Sequence, residues 1–257
     1  MAEHVHLHTK EAVMQIIQNR GVKFALFDAD DTKYHTHEIF LQQIGIFEKE
    51  ASRLLDSDQA ERFSTLFRQL NKAALKIEGI SVSEERWDWI IGLLGRVYPG
   101  LAGAMDEHKH HLEEIYKITP RRIEGIEEVL NTFERSGIEL GVLTHASDDW
   151  NYDKMTNTGL SKFFHPENIH TVSVYEFKTR EDWLRGIRNS GYTPQQTMAV
   201  GNSLTSDIIP AHDAGVEMKV WLRDETADSF FAQGEAPSGT IIINQYSHLF
   251  SAILGSK

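Results

Sequence analysis

Cysteine is absent from all 257 residues, which excludes a disulfide framework, a thiolate nucleophile and a thiolate metal site, and suits a reducing cytoplasm. Long apolar runs are missing as well. None approaches the roughly 20 residues that span a bilayer. The N-terminus "MAEHVHLHTKEAV" lacks the basic-then-apolar order of a secretory signal, so a soluble cytoplasmic protein is expected. Positive charge is in short supply too. With 26 Lys and Arg against 38 Asp and Glu, the formal net charge of −12 repels phosphate backbones and anionic lipid surfaces, which excludes nucleic acid and membranes as bulk partners. No repeat or low-complexity tract stands out, and "EAPSG" near residue 235 reads as a loop.

What is present alternates. The runs "VKFALF", "IELGVLT", "NIHTVSV", "TMAVG", "MKVWL" and "TIII" are short, β-branched and almost uniformly apolar, as strands buried on both faces are. Helical patterns lie between them. Ile126, Val129, Leu130 and Phe133 recur at intervals of three and four before Gly137, a C-terminal glycine cap, while Thr9 is placed to cap a helix whose Val13, Ile16 and Ile17 form one stripe ending at Gly21. Such alternation predicts an α/β fold: a mostly parallel sheet with helices on both faces. One segment departs from it. From about His37 to Thr119 only helix-like stretches occur, which predicts an inserted helical domain of roughly 80 residues. The expected division is residues 1–36 for the first part of the core, 37–119 for the insertion and 120–257 for the rest of the core.

The stretch "FDADDTKY" sets three carboxylates within four positions at the mouth of the first strand. A calcium loop of the EF-hand kind counted from Asp28 would need acidic or amide, Gly and Glu residues where Thr32, Lys33 and Ile39 stand, so that reading fails. A plain reading remains, in which Asp28 stops the strand and Asp30 or Asp31 caps a turn. The other strand ends are polar too, and open parallel sheets bind ligands there. "GVLTHASDD" delivers the hydroxyl of Thr144 and a helix-capping Ser147; Lys178 follows the third strand; "TMAVGNSLTSD" offers Gly201 for a tight turn, the side-chain oxygen of Asn202 and then Asp207.

Together "FALFDADDT", "VLTHAS", Lys178 and "VGNSLTSD" resemble the four motifs of the haloacid dehalogenase-like (HAD) hydrolases, and the match covers the whole chain outside the helical segment. The resemblance implies a Rossmann-like core with a helical cap inserted between the first two motifs. It implies Asp28 as nucleophile, Asp30 as general acid and base, Thr144 as phosphate-binding hydroxyl and Lys178 as the cation that steadies the charge. Substrate binding would fall to Thr144, His145 and Lys178, and magnesium to the Asp28 carboxylate, the Asp30 backbone carbonyl and Asn202. Asp207 would act from behind, orienting Lys178 or a metal-bound water. Two positions differ from the family pattern. Asp31 stands where Gly is frequent, although other members carry a polar residue there. Asn202 replaces the usual metal-binding aspartate, which predicts weak magnesium binding.

A phosphate ester is an anion that a carboxylate attacks only once positive groups neutralise it, and an alkoxide leaving group needs the proton that a second aspartate supplies. Halide needs none, so Asp30 directs the family resemblance to phosphoryl transfer. The expected partner is a small phosphate ester. A phosphomutase would use the same residues, and a non-catalytic member that binds a phosphorylated ligand or a protein is the alternative of another class. Elsewhere, alternating His4, His6 and His8 would share one face of a strand but read better as a mobile terminus, and "HKHH" at 108–111 as a solvated helix face. Trp87, Trp89 and Tyr98 read as core of the helical segment. Lys33, His35 and His37 are candidates for substrate contact, because the chain passes over the site there.

Overall fold

The computed structural model describes residues 2–77, 80, 84–172, 177–224 and 234–255, with the backbone alone for residues 2–9. Helix α1 (Ala2–Asn19) leads into strand β1 (Phe24–Phe27). Helices α2 (Thr36–Ala51), α3 (Ser57–Ala74), α4 (Glu85–Val97), α5 (Ala102–His108), α6 (His110–Glu114) and α7 (Ile126–Arg135) precede β2 (Glu139–Thr144). Helix α8 (Asp148–Asn157), β3 (Ile169–Thr171), α9 (Arg180–Asn189), β4 (Thr197–Gly201), α10 (Ile209–Asp213), β5 (Met218–Leu222), β6 (Thr240–Ile243) and α11 (Leu249–Gly255) complete the order.

All six strand expectations hold, and every pairing is parallel in the order β3-β2-β1-β4-β5-β6. This is the Rossmann-like arrangement. Strands β1, β4 and β5 are buried throughout, as two-sided coverage requires. Alternate residues of β1 feed different layers: Ala25 and Phe27 pack with α1, α7 and α11, whereas Phe24 and Leu26 pack with Trp183 and Ile187 of α9. The edge strands are less covered. Ile242 on β6 is half exposed, and β3 is shorter than expected, with residues 173 and 174 outside the described residues.

The stripe Val13, Ile16 and Ile17 does face the sheet. Thr9, however, is not an N-cap, because α1 begins at Ala2 and the chain ahead of Thr9 contains neither Gly nor Pro to break it. The same helix changes the histidine reading at 4, 6 and 8. Alternate residues lie on opposite sides of a helix, so position 6 is turned away from 4 and 8, and the three positions share no face. Gly137 takes a φ of +75° just past α7, and the Ile138 amide donates to Phe133 at 3.0 Å, which makes the expected glycine cap.

Between β1 and β2, helices α2 to α6 gather their own apolar cluster, including Phe47, Phe63, Phe67, Trp87, Leu94 and Leu112, with Trp89 and Tyr98 packed against it. The chain enters and leaves this segment along one narrow path. His35 donates from its amide to the Arg121 carbonyl, the Ile123 amide donates to Lys33 (each 2.9 Å), and Tyr34 bridges Arg122 in antiparallel fashion. The "HKHH" stretch is only partly solvated. His110 is exposed, but the half-buried rings of His108 and His111 stack 6.0 Å apart. Among the described residues no helix is long and apolar enough to cross a membrane.

Candidate active site

Chain order sets the location. The path runs from β1 outward to β2 and β3, then crosses to β4 on the other side of β1, so a crevice opens at the carboxyl ends of β1 and β4. Asp28 lies there directly after β1, its amide donating to the Val200 carbonyl at 2.8 Å, and Asn202 lies directly after β4. Thr144 is the last residue of the neighbouring β2.

Asp28 is only 5% exposed, and both its carboxylate oxygens are engaged. Lys178 donates to Oδ1, and the Thr32 hydroxyl donates to Oδ2 at 2.8 Å. Lys178 also reaches Asp207 Oδ1 at 2.7 Å. Burial disfavours this ammonium, but Asp207 and Asp28 outweigh it and raise its pKa. Backbone capping fixes the group. Asp207 Oδ2 accepts from the Ser203 amide (2.9 Å), Ser206 Oγ accepts from the Lys178 amide (3.0 Å), and Thr179 and Asp182 close a capping box at the start of α9. Glycine at 201 is obligatory for this packing, since a Cβ there would come within 2.4 Å of the Asp207 side chain.

Asp30 belongs to a separate network. Its Oδ1 accepts from Lys154 Nζ at 2.5 Å and from the Thr36 hydroxyl at 2.6 Å. Burial works against the Asp30 charge, yet Lys154 and Thr36 prevail and hold the carboxyl below its ordinary value. Asp31 sits at a φ of +55°, in the left-handed region that asparagine and aspartate tolerate and glycine favours, which explains the frequent glycine at this place. Its carboxyl is pushed up to about 7, chiefly by burial, although the His37 amide donates to it at 2.9 Å.

Among the described residues, Thr144 Oγ1 and His145 Nε2 are buried and lack a hydrogen-bond partner. Burial, then Lys178, lowers the imidazole to about 4, which favours the neutral ring at physiological pH. The three residues after the turn are treated differently. Lys33 is wholly buried, His35 is half-buried 3.5 Å from Glu38, and His37 is exposed.

Sequence reasoning missed Thr32, Thr36 and Lys154. Thr32 follows Asp28 by four residues, a spacing that could have exposed it. Lys154 had no such signal. It comes from α8, 124 positions from Asp30, and only its place beside Asn151 and Met155 on the buried face of that helix marks it.

Among the described residues, no group of three or more His, Cys, Asp or Glu side chains is arranged to hold a metal. The side-chain oxygens of Asp28 and Asn202 are nevertheless neighbours, both within reach of the Thr32 hydroxyl, which lies 2.8 Å from Asp28 Oδ2 and 3.2 Å from Asn202 Oδ1. Hard oxygens of this kind fit magnesium, with a single full charge between the two side chains.

Removing the clearance at residue 201 should disturb the whole network. Gly201→Ala is expected to cost about 1–3 kcal/mol in urea melts and to cut turnover at least tenfold, as Asp207 is displaced and Lys178 with it. The turn makes a separate demand. Asp31→Gly should unfold at no lower urea concentration than wild type, whereas Asp31→Val, forced into the left-handed region, should lose about 1–2 kcal/mol by the same measurement.

Comparison with known proteins agrees with this geometry. The chain is 25% identical over 200 residues to a glyceraldehyde 3-phosphate phosphatase of Methanocaldococcus jannaschii, covering 76% of this chain and 82% of that one. Its fold is similar to a haloacid dehalogenase-like hydrolase of Xanthomonas campestris (TM-score 0.70, 16% identity, 92% of each chain). It is also similar to the magnesium-bound HAD hydrolase YfnB of Bacillus subtilis (TM-score 0.64, 18% identity, 91% of this chain and 99% of that one). The family model for haloacid dehalogenase-like hydrolases matches residues 25–220, from β1 through β5, and the chain therefore belongs to that family.

Proposed function

We propose that this hydrolase is a cytoplasmic phosphatase that cleaves a small phosphate monoester through an aspartyl-phosphate on Asp28, with magnesium as cofactor. The observation that carries the reading is the nearly buried Asp28 carboxylate at the sheet crevice, held by Lys178, with the unpartnered Thr144 hydroxyl on the next strand. The similar phosphatase of Methanocaldococcus jannaschii, named for a small phosphate ester, supports it.

In the first step an Asp28 oxygen bonds to phosphorus as the bond to the leaving alcohol breaks, and Asp30, ionised in the free protein, passes to that alcohol a proton it has taken up from solvent when the negative substrate enters beside it. In the second, Asp30 takes a proton from water as it attacks the phosphoryl group, and Asp28 is restored. Lys178 offsets charge on the transferring group, while Thr144 Oγ1 and His145 Nε2 hold its oxygens. Asp28, the Asp30 carbonyl and Asn202 would hold magnesium, which would supply further charge neutralisation. Residues 37–119 act as a cap over a core formed by 1–36 and 120–257; their separate apolar cluster and narrow connection support that division. The cap selects the leaving group.

Turnover of an aryl phosphate with magnesium present tests the reading and separates it from a binding-only member, which Asn202 would suit. Asp28→Asn should lower the rate at least about a thousandfold while the fold survives, since Lys178 keeps Asp207 as partner. Appreciable activity in that variant would remove Asp28 as nucleophile. Asn202→Asp adds a charged ligand, and calorimetric titration should show magnesium bound about tenfold more tightly, or ~1.4 kcal/mol. Unchanged affinity would show that residue 202 does not face the ion.

A further inference from the structure

Asp30 is held by one oxygen only. Its Oδ1 accepts from Lys154 Nζ at 2.5 Å and from the Thr36 hydroxyl at 2.6 Å, whereas Oδ2 has no hydrogen-bond donor among the described residues. Two donors on one atom restrain the carboxylate and leave its second oxygen open. The side chain is 25% exposed, so there is room beside it for an alcohol or a water.

Lys154 is confined in a way that a surface lysine is not. Its side chain is 2% exposed and its Nζ lies 3.6 Å from the centre of the Trp150 ring, which fixes the ammonium between an aromatic face and one carboxylate oxygen. Folding alone does not demand such a pair, because apolar residues of similar volume often serve stability as well. Its place in the chain matters more. Helix α8 starts four residues after Thr144, so the hydroxyl that would anchor the phosphoryl oxygens and the lysine that grips Asp30 belong to one strand-loop-helix piece. That piece sets the distance from the transferring group to the acid, where an error of about 1 Å can cost on the order of a hundredfold in rate.

We infer that Lys154 is a positioning residue for proton transfer: it ties down Oδ1 of Asp30, so that Oδ2 is the oxygen that gives a proton to the leaving alcohol and later takes one from water. The inference rests on the phosphatase reading of the same site and adds no step to it. The proton on Oδ2 passes to the alcohol oxygen as its bond to phosphorus breaks, and a water proton returns to Oδ2 as the water oxygen bonds to phosphorus. Lys154 keeps its own protons and acts through Asp30 alone.

The test compares turnover of an alkyl phosphate and of nitrophenyl phosphate, both with magnesium, in wild type, Lys154→Met, Lys154→Arg, Asp30→Asn and the Asp30→Asn/Lys154→Met double variant. An alkoxide needs the proton and a nitrophenolate hardly does, so Lys154→Met should lower kcat on the alkyl ester at least about tenfold more than on the nitrophenyl ester. The ratio of the two rates is taken on one sample, so partial unfolding of a variant leaves it unchanged. Lys154→Arg, which keeps a cation within reach of the same oxygen, should recover most of the selective loss. Once Asp30 is Asn there is no acid left to aim, and adding Lys154→Met should then leave the ratio within about twofold. An unchanged or raised alkyl-to-nitrophenyl ratio in Lys154→Met would overturn the inference, and so would a selective loss that persists in the Asp30→Asn background; either result leaves a phosphatase in place. A wild type that hydrolyses neither ester would overturn the phosphatase reading, and the role of Lys154 with it.

Discussion

The contact of Lys178 with two buried carboxylates is the constraint on which the carboxyl end of the sheet depends. An ammonium and two carboxylates withdrawn from water carry a desolvation penalty that their attraction offsets only in good geometry, and loss of the lysine would strand both carboxylates. The fold accordingly fixes all three from the backbone outward. Asp28 extends the β1 ladder, Asp207 is held by the Ser203 amide, and Lys178 is held by Ser206 and by the capping box that starts α9. Ser206 is tied further by Trp183, whose indole donates to its carbonyl at 3.3 Å. Glycine at 201 follows from this arrangement, because the Asp207 side chain occupies the space that any larger residue would need.

Crowded carboxylates at the end of β1 are tolerated because each has a different partner. Asp28 takes Lys178 and Thr32, Asp30 takes Lys154 and Thr36, and Asp31 turns to the backbone amide of His37. Thr32 comes from the turn itself and Thr36 from the first residue of α2, so nearby sequence supplies the neutral donors. The cations are brought from α8 and from the loop before α9, so only the folded sheet can supply them. A turn of this composition is therefore stable only in the finished fold.

That distinction also separates what the sequence reveals from what it hides. Strands β1, β4 and β5 are legible because burial on both faces demands uniform apolar runs, and the site residues that follow strands, Asp28, Thr144 and Asn202, are legible because strand ends are. Asp207 and Lys178 are legible only through the motif order, for nothing in their local spacing announces a contact. Lys154 is hidden altogether. A single lysine on a helix reads as a solvated group, and its burial depends on how α8 is seated on the sheet. The start of α1 is hidden for the opposite reason: Thr9 has the chemistry of a cap, but a helix without a breaker runs through it.

The helical segment reaches the site through few contacts, and these concentrate on Asp30. Trp150 on α8 packs edge-on against Phe40 of α2 (ring centroids 6.1 Å apart) and against Tyr116 (5.1 Å), and the same indole carries Lys154 over its face. Lys154 in turn holds Asp30, while Thr36, the first residue of α2, donates to the same carboxylate oxygen. Asp30 is thus gripped from the core side and from the first turn of the helical segment at once. Among the described residues Asp28 has no such link; its side-chain partners are Thr32 of the turn and Lys178 of the loop beyond β3. A shift of the helical segment would accordingly act on the position of Asp30 before it touched the carboxylate of Asp28, because the contacts that transmit it end on one aspartate and not on the other.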